Sequence, residues 1–358
     1  MVTKTTKQGD QTITRWLYPQ CFQKLLDNQS PEGGFGENKA EVDAILNTMA
    51  ALLAITKLKA SPTISGVATM PDLPTRISKG CAYLNRKLKN WDVHSTIHVG
   101  FEILIPTLLG LLRKEGIGLE FPGAKILTEM NARKLSTFTE EIIYSPKQTT
   151  LLHSLEAFIG KIDIDRTAHH LRHGAMMASP SSTAAYLMNS STWSEAAETY
   201  LRFVVETNNG GVPSAFPIIV FETTWVLSTL LESGFTRDGA GITGFAPGVL
   251  PDADDTAKSI ITLSLLNRPT TCEDMIKEFE SQTHFKTYNN ESTASFSANC
   301  NVLNAIVRSA SASRYLPQVL KSLNYLYQTW YEGKISDKWN LEIQYSMMLL
   351  AEALIRVV

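Results

Sequence analysis

The chain has 358 residues, more than the usual single domain, so two cores are expected. Hydrophobic residues make up 44% and charged residues 19%, and no run approaches the roughly 18 uncharged apolar residues of a membrane-spanning helix. Lys plus Arg number 33 against 35 Asp plus Glu, and the net charge of −2 sets aside nucleic acid and acidic membrane surfaces as partners.

The opening residues, Met1-Val2-Thr3-Lys4-Thr5-Thr6-Lys7, are polar and carry no apolar signal-peptide core, which predicts an intracellular, cytoplasmic protein. In chain order, apolar residues at three- and four-residue spacing predict helices over 42–58, 101–112, 194–205, 221–231, 258–266, 300–310, 316–331 and 343–355. Convincing alternating strands are absent. Gly/Pro/Ser loops separate the helices, among them Ser30-Pro31-Glu32-Gly33-Gly34 and Ala178-Ser179-Pro180-Ser181-Ser182. The expectation is an all-α protein, and a toroid of paired helices suits the pattern. The turn residues Asn208-Asn209-Gly210-Gly211-Val212-Pro213 mark the best boundary, giving domains 1–207 and 208–358. Cys21, Cys81, Cys272 and Cys300 lie far apart with no Cys-x-x-Cys pair, so neither a zinc ribbon nor a disulfide framework is expected.

The stretch Pro251-Asp252-Ala253-Asp254-Asp255-Thr256 puts three carboxylates in four residues, just before the apolar run that starts at Ile260. Crowded acids oppose one another's ionisation, so in a dry site at least one stays protonated near neutral pH. A neutral carboxylic acid in an apolar site can protonate an alkene; a water-exposed carboxylate, with a pKa near 4, cannot. The bland alternative is a helix N-cap, and an Asp-x-Asp-Asp pattern arises by chance in on the order of several percent of chains this long.

Six stretches together resemble the class II diterpene cyclases, the copalyl diphosphate synthase family, and especially its fungal members. They are Ile45-Leu46-Asn47-Thr48, Val99-Gly100-Phe101-Glu102, Thr149-Thr150-Leu151-Leu152-His153-Ser154-Leu155-Glu156, Ser179-Pro180-Ser181-Ser182-Thr183-Ala184, Gly210-Gly211-Val212-Pro213 and Asp252-Ala253-Asp254-Asp255-Thr256-Ala257. They run in the family's order and at close to its spacing.

The resemblance implies two αα-barrel domains, γ over 1–207 and β over 208–358, and cyclisation of geranylgeranyl diphosphate to a bicyclic copalyl diphosphate with the diphosphate retained. It implies Asp254 as proton donor, with Asp252 and Asp255 holding it protonated and oriented. Asn301 falls where the family places an amide bonded to the catalytic acid, and Ser297 sits one helical turn before it. His153 matches a histidine that holds the deprotonating water, with Ser214 standing where plant members have its asparagine partner. Lys134 lies close to a lysine used against the diphosphate. Mg²⁺ is implied as a bridge to diphosphate oxygens; Glu102 is retained, and Asp92 is the other acid nearby. Trp339, with Trp225, Trp330, Phe216 and Tyr345, is an aromatic candidate for facing carbocations.

The chain carries no Asp-Asp-x-x-Asp sequence, so loss of the diphosphate is not expected. It lacks the family's opening Ser-x-Tyr-Asp-Thr-Ala-Trp segment and an α domain. Two other readings therefore stand beside the enzyme: an inactive or regulatory βγ fragment that binds isoprenoid, and a drimane-type cyclase of farnesyl diphosphate.

Overall fold

The computed structural model describes residues 2–8, 11–36, 40–60, 72–136, 138–232, 244–268, 270–289, 291, 293–309, 311–340 and 342–357. They form two compact units, Met1–Phe216 and Pro217–Val358. The division falls after Phe216, beyond the turn cluster at 208–213, because that segment is tied into the first unit: Tyr200 donates its hydroxyl to Phe216 O at 2.6 Å and Phe216 N donates to Ala178 O at 2.8 Å.

The first unit opens on an antiparallel hairpin, β1 (Thr3–Gln8) with β2 (Gln11–Trp16). These strands correct the expectation of a chain without them. Their residues are mostly threonines and charged or amide side chains, Ile13 and Trp16 apart, so they suit extended backbone but give no apolar alternation to detect. A second, two-residue pairing joins β3 (Leu171–Arg172) to β4 (Ala175–Met176). The rest is helical: α1 (Pro19–Asp27), α2 (Glu41–Lys59), α3 (Leu73–Asn90), α4 (Phe101–Lys114), α5 (Ala124–Ser136), α6 (Glu140–Tyr144), α7 (Pro180–Asn189) and α8 (Glu195–Thr207), with 3-10 turns at Thr150–Phe158 and Ile164–His170.

Helix α2 buries most of its apolar residues and leaves Asp43, Asn47 and Lys57 on its exposed face. Ile45, Met49 and Leu52 join Leu84 and Leu88 of α3 and Phe101, Ile105 and Leu112 of α4, while Ala51, Ile55 and Leu58 face Phe22 and Leu26 of α1. The motif Gln29 to Gly36 docks on α3. Gly33 has φ 98°, and a Cβ there would lie 2.3 Å from Lys79 O, so only glycine permits this approach.

The second unit contains α9 (Ile219–Glu232), α10 (Ala253–Leu265), α11 (Glu273–Phe279), α12 (Phe296–Arg308), α13 (Leu316–Tyr331) and α14 (Ile343–Leu354). Its centre is α12, buried from Phe296 to Ile306 and packed against α10, α13 and α14. Fully burying a side chain such as Phe296 or Ile306 contributes about 1.5–3 kcal/mol. Both α10 and α12 begin before the residues that apolar spacing indicated, at Ala253 rather than 258 and at Phe296 rather than 300. Polar residues interrupt the apolar spacing of their first turns, and caps start them: Asp252 accepts from Asp255 N at 2.7 Å and Ser295 from Ala298 N at 3.1 Å. Residue 310, the end predicted for α12, lies outside the described residues. Among the described residues no helix is long and apolar enough to cross a membrane.

Candidate active site

The start of α10 carries the acid cluster. Asp252, the N-cap, is 2% exposed and Asp255 5%, while Asp254 between them stays partly accessible. Ala253 N donates to Thr287 O at 2.9 Å, which fixes where the helix begins. Burial, and then the Asp255 charge, pushes Asp252 well above the usual carboxylate range. Burial, with the Asp254 charge, pushes Asp255 up to about 7. Asp252 Oδ2 and Asp255 Oδ1 are buried without a hydrogen-bond partner, as expected of facing acceptors that need a proton between them. The helix N-terminus favours carboxylate, but burial and mutual repulsion outweigh it.

Asp254 is pushed up to about 6, mainly by burial. Asn301 Nδ2, from α12, donates to Asp254 Oδ1 at 2.8 Å and pulls the other way, as does Lys258, whereas the Asp337 charge raises it further. The acid thus keeps its proton to a higher pH than a free carboxyl does and is oriented by a neutral amide. Asn301 is 1% exposed and Ser297 also 1%, so neither is a polar residue of the helix surface.

Ser297 is bound into a network around Asp337. Asp337 Oδ2 accepts from Ser295 Oγ and from Ser297 N, both at 2.8 Å, and Oδ1 accepts from Trp339 N at 2.9 Å. Asn340 Nδ2 donates to Ser297 Oγ at 3.1 Å. Trp339 is 46% exposed and meets Tyr288 edge-on. Beside it, Lys338 pairs with Glu291, whose other oxygen accepts from Thr287 N at 2.9 Å. One polar chain therefore ties together the N-termini of α10 and α12, the helices that present Asp254 and Asn301. Sequence reasoning missed Asp337, Lys338, Glu291 and Lys258; the one available signal was Lys258, four residues after Asp254.

In the first unit, His153 is half-buried on the 3-10 turn. Its Nδ1 lies 3.2 Å from Met177 O; a carbonyl only accepts, so Nδ1 carries the proton and the lone pair is on Nε2. Burial lowers its pKa, so the ring is neutral near pH 7. Ser214 is exposed, on the segment that Phe216 N joins to Ala178 O, next to the residue His153 bonds. Lys134 and Glu102 are brought together as an ion pair, Nζ to Oε1 at 2.9 Å. Asp92 is engaged instead in a local turn, accepting from His94 N and Ser95 N.

Comparison with known proteins follows the same lines. The chain is 44% identical over 366 residues to a copalyl diphosphate synthase of Talaromyces verruculosus, covering 96% of this chain and 38% of that protein. This chain is a relative of the fungal copalyl diphosphate synthases. It spans a little over a third of the curated relatives it matches. Its fold matches the ent-copalyl diphosphate synthase of Streptomyces platensis with a TM-score of 0.76 at 25% identity, covering 93% of this chain and 70% of that one. It also matches the Arabidopsis thaliana ent-copalyl diphosphate synthase in complex with (S)-15-aza-14,15-dihydrogeranylgeranyl thiolodiphosphate, with a TM-score of 0.72 at 24% identity, covering 90% and 48%. No family model matches the chain. The fold is that of the class II terpene cyclases, and the relationship inferred from six motifs extends along nearly the whole chain.

Proposed function

We propose that the protein is a class II terpene cyclase that converts geranylgeranyl diphosphate to a bicyclic copalyl-type diphosphate. The observation that carries this reading is Asp254: partly accessible, shifted up to about 6, and held by Asn301. Its proton passes to the terminal carbon–carbon double bond, whose electron pair forms the new C–H bond and leaves a tertiary cation. Two internal alkenes attack in turn to close two rings. A water held by His153 and Ser214 removes a proton from the last cation, and a proton from solvent restores Asp254. The diphosphate is retained, and no atoms are gained or lost.

On this reading the two units are the γ and β αα-barrels; the acid and its amide lie in the second, and His153, Ser214, Lys134 and Glu102 in the first. Lys134 would meet the diphosphate, and Trp339 would turn a ring face to developing positive charge. For Mg²⁺, the described residues hold no group of three or more His, Cys, Asp or Glu side chains suited to a metal. Glu102 Oε2 is, however, buried without a hydrogen-bond partner. One such oxygen fits an ion that takes one or two carboxylates together with substrate phosphates and waters. Mg²⁺ bound there would neutralise diphosphate charge. Cys21, Cys81, Cys272 and Cys300 are free thiols, which fits a reducing, cytoplasmic location.

The purified chain, incubated with geranylgeranyl diphosphate and then phosphatase, is expected to yield a bicyclic labdane alcohol. Recovery of geranylgeraniol alone would instead mark an isoprenoid-binding remnant, and turnover of farnesyl diphosphate only would mark a drimane-type cyclase.

A further inference from the structure

Lys258 is a buried cation on the helix of the acid cluster. It is 6% exposed and lies one turn after Asp254, on the same face of α10. Burying an ammonium is costly unless something compensates its charge. Here its Nζ lies over the ring of Trp225 on α9, 5.4 Å from the centroid. That ring is fixed in turn: Trp225 Nε1 donates to Tyr345 Oη at 2.7 Å, and Phe221 stacks on it at 4.2 Å. Thr262 Oγ1 bonds both Lys258 O and Thr224 O, which holds α10 against α9 at this level.

We propose that Lys258 is a positioning residue that stabilises the carboxylate left on Asp254 when its proton departs. This deepens the proposed function and rests on Asp254 being the proton donor. While Asp254 is neutral, the ammonium is held by the quadrupole of the Trp225 face. As the proton moves to the alkene, negative charge develops on Asp254 beside a cation already in place. The interaction strengthens along the reaction coordinate, which is the condition for lowering a barrier. The lysine thereby resolves a conflict within the cluster. Burial and the Asp337 carboxylate keep the proton on Asp254 but also make it a poor acid, whereas Lys258 and the Asn301 amide favour the ionised product. Other titratable groups that sense or impose charge here are Asp252 and Asp255 on α10, Cys300 on α12, Tyr345 on α14 and Tyr288 before α12.

The test compares Lys258→Met, Lys258→Gln and Lys258→Arg with the unaltered protein. The carboxyl of Asp254 is titrated by ¹³C NMR, its resonance assigned by its loss in Asp254→Asn, and the pH profile of cyclisation is measured alongside. Removing the charge should raise the Asp254 midpoint by about one pH unit and lower the plateau rate about 10-fold, as expected for a neighbouring charge in a partly buried site. Lys258→Arg should restore both. A midpoint unmoved in the neutral variants, or equal losses in Met and Arg, overturns the proposal. The titration needs no turnover. If the midpoint shifts but the unaltered protein leaves geranylgeranyl diphosphate intact, the coupling stands and the assigned function fails. If Lys258→Met does not fold, Lys258→Gln gives the same comparison.

Discussion

Asn301 Nδ2 donates to Asp254 Oδ1 at 2.8 Å, which marks that oxygen as the acceptor and leaves Oδ2 to carry the transferable proton. The bond joins α12 to α10, with Asn301 buried and Asp254 partly accessible, so the direction of the acid is set by helix packing.

Replacing Asp254 by Asn removes the proton but keeps the shape. Cyclisation should fall by about 10²–10⁴-fold, the usual contribution of a general acid. Circular dichroism should stay that of the unaltered protein. Retained turnover would show that another group starts the reaction.

Asn301→Ala removes the orienting donor and leaves a space beside the acid. A hydrogen bond to a group that becomes charged contributes about 1.5–3 kcal/mol, so kcat should drop roughly 10- to 100-fold with little change in KM. Steady-state kinetics decide the matter. An effect confined to KM would place Asn301 in substrate binding.

With Asp254 at about 6 and Asp255 at about 7, kcat/KM should fall as pH rises through this range, because the proton donor is then lost. Stability follows the same sign. The folded state binds its Asp254 proton more tightly than the unfolded chain, so this stabilisation is complete below about pH 4 and lost as pH rises through about 6. Asp254→Asn has no such dependence, so its stability relative to the unaltered protein should grow across that interval. Urea titrations at pH 4.5 and 7.5 make the comparison.

Lys338 has a side chain 1% exposed and pairs with Glu291, itself 12% exposed. Lys338→Met strands the Glu291 carboxylate in the interior and should cost about 3–5 kcal/mol, read as a lower urea midpoint. The double variant Lys338→Met, Glu291→Gln should recover part of the loss, since the stranded charge is gone. An additive outcome would indicate that the pair is not coupled.

Lys134→Ala should raise KM for the diphosphate substrate about 10-fold, the loss of one charge-assisted contact. An unchanged KM would confine Lys134 to its ion pair with Glu102.

Residues whose role depends on local pattern were legible in the sequence. The apolar spacing of 316–331 gives α13 in full, and that of 42–58 gives α2 to within one residue at each end. Amphipathic spacing is a property of the helix itself and needs no partner to be seen. The hairpin and the first turns of α10 and α12 escaped, because threonines in the hairpin and Asp254, Asp255, Ser297 and Asn299 in the helices interrupt the apolar spacing.

The cluster of Asp252, Asp254 and Asp255 declares itself in sequence because its members are neighbours along the chain, and charge crowding follows from spacing alone. Whether that crowding yields a usable acid was decided only by tertiary structure. Burial, the Asn301 amide, the Asp337 carboxylate and the Lys258 ammonium on Trp225 set the affinity of Asp254 for its proton. Asn301, Asp337 and Trp225 are brought to α10 from distant stretches, and electrostatic energy depends on distance in space and on solvent exclusion, neither of which a linear order of residues contains.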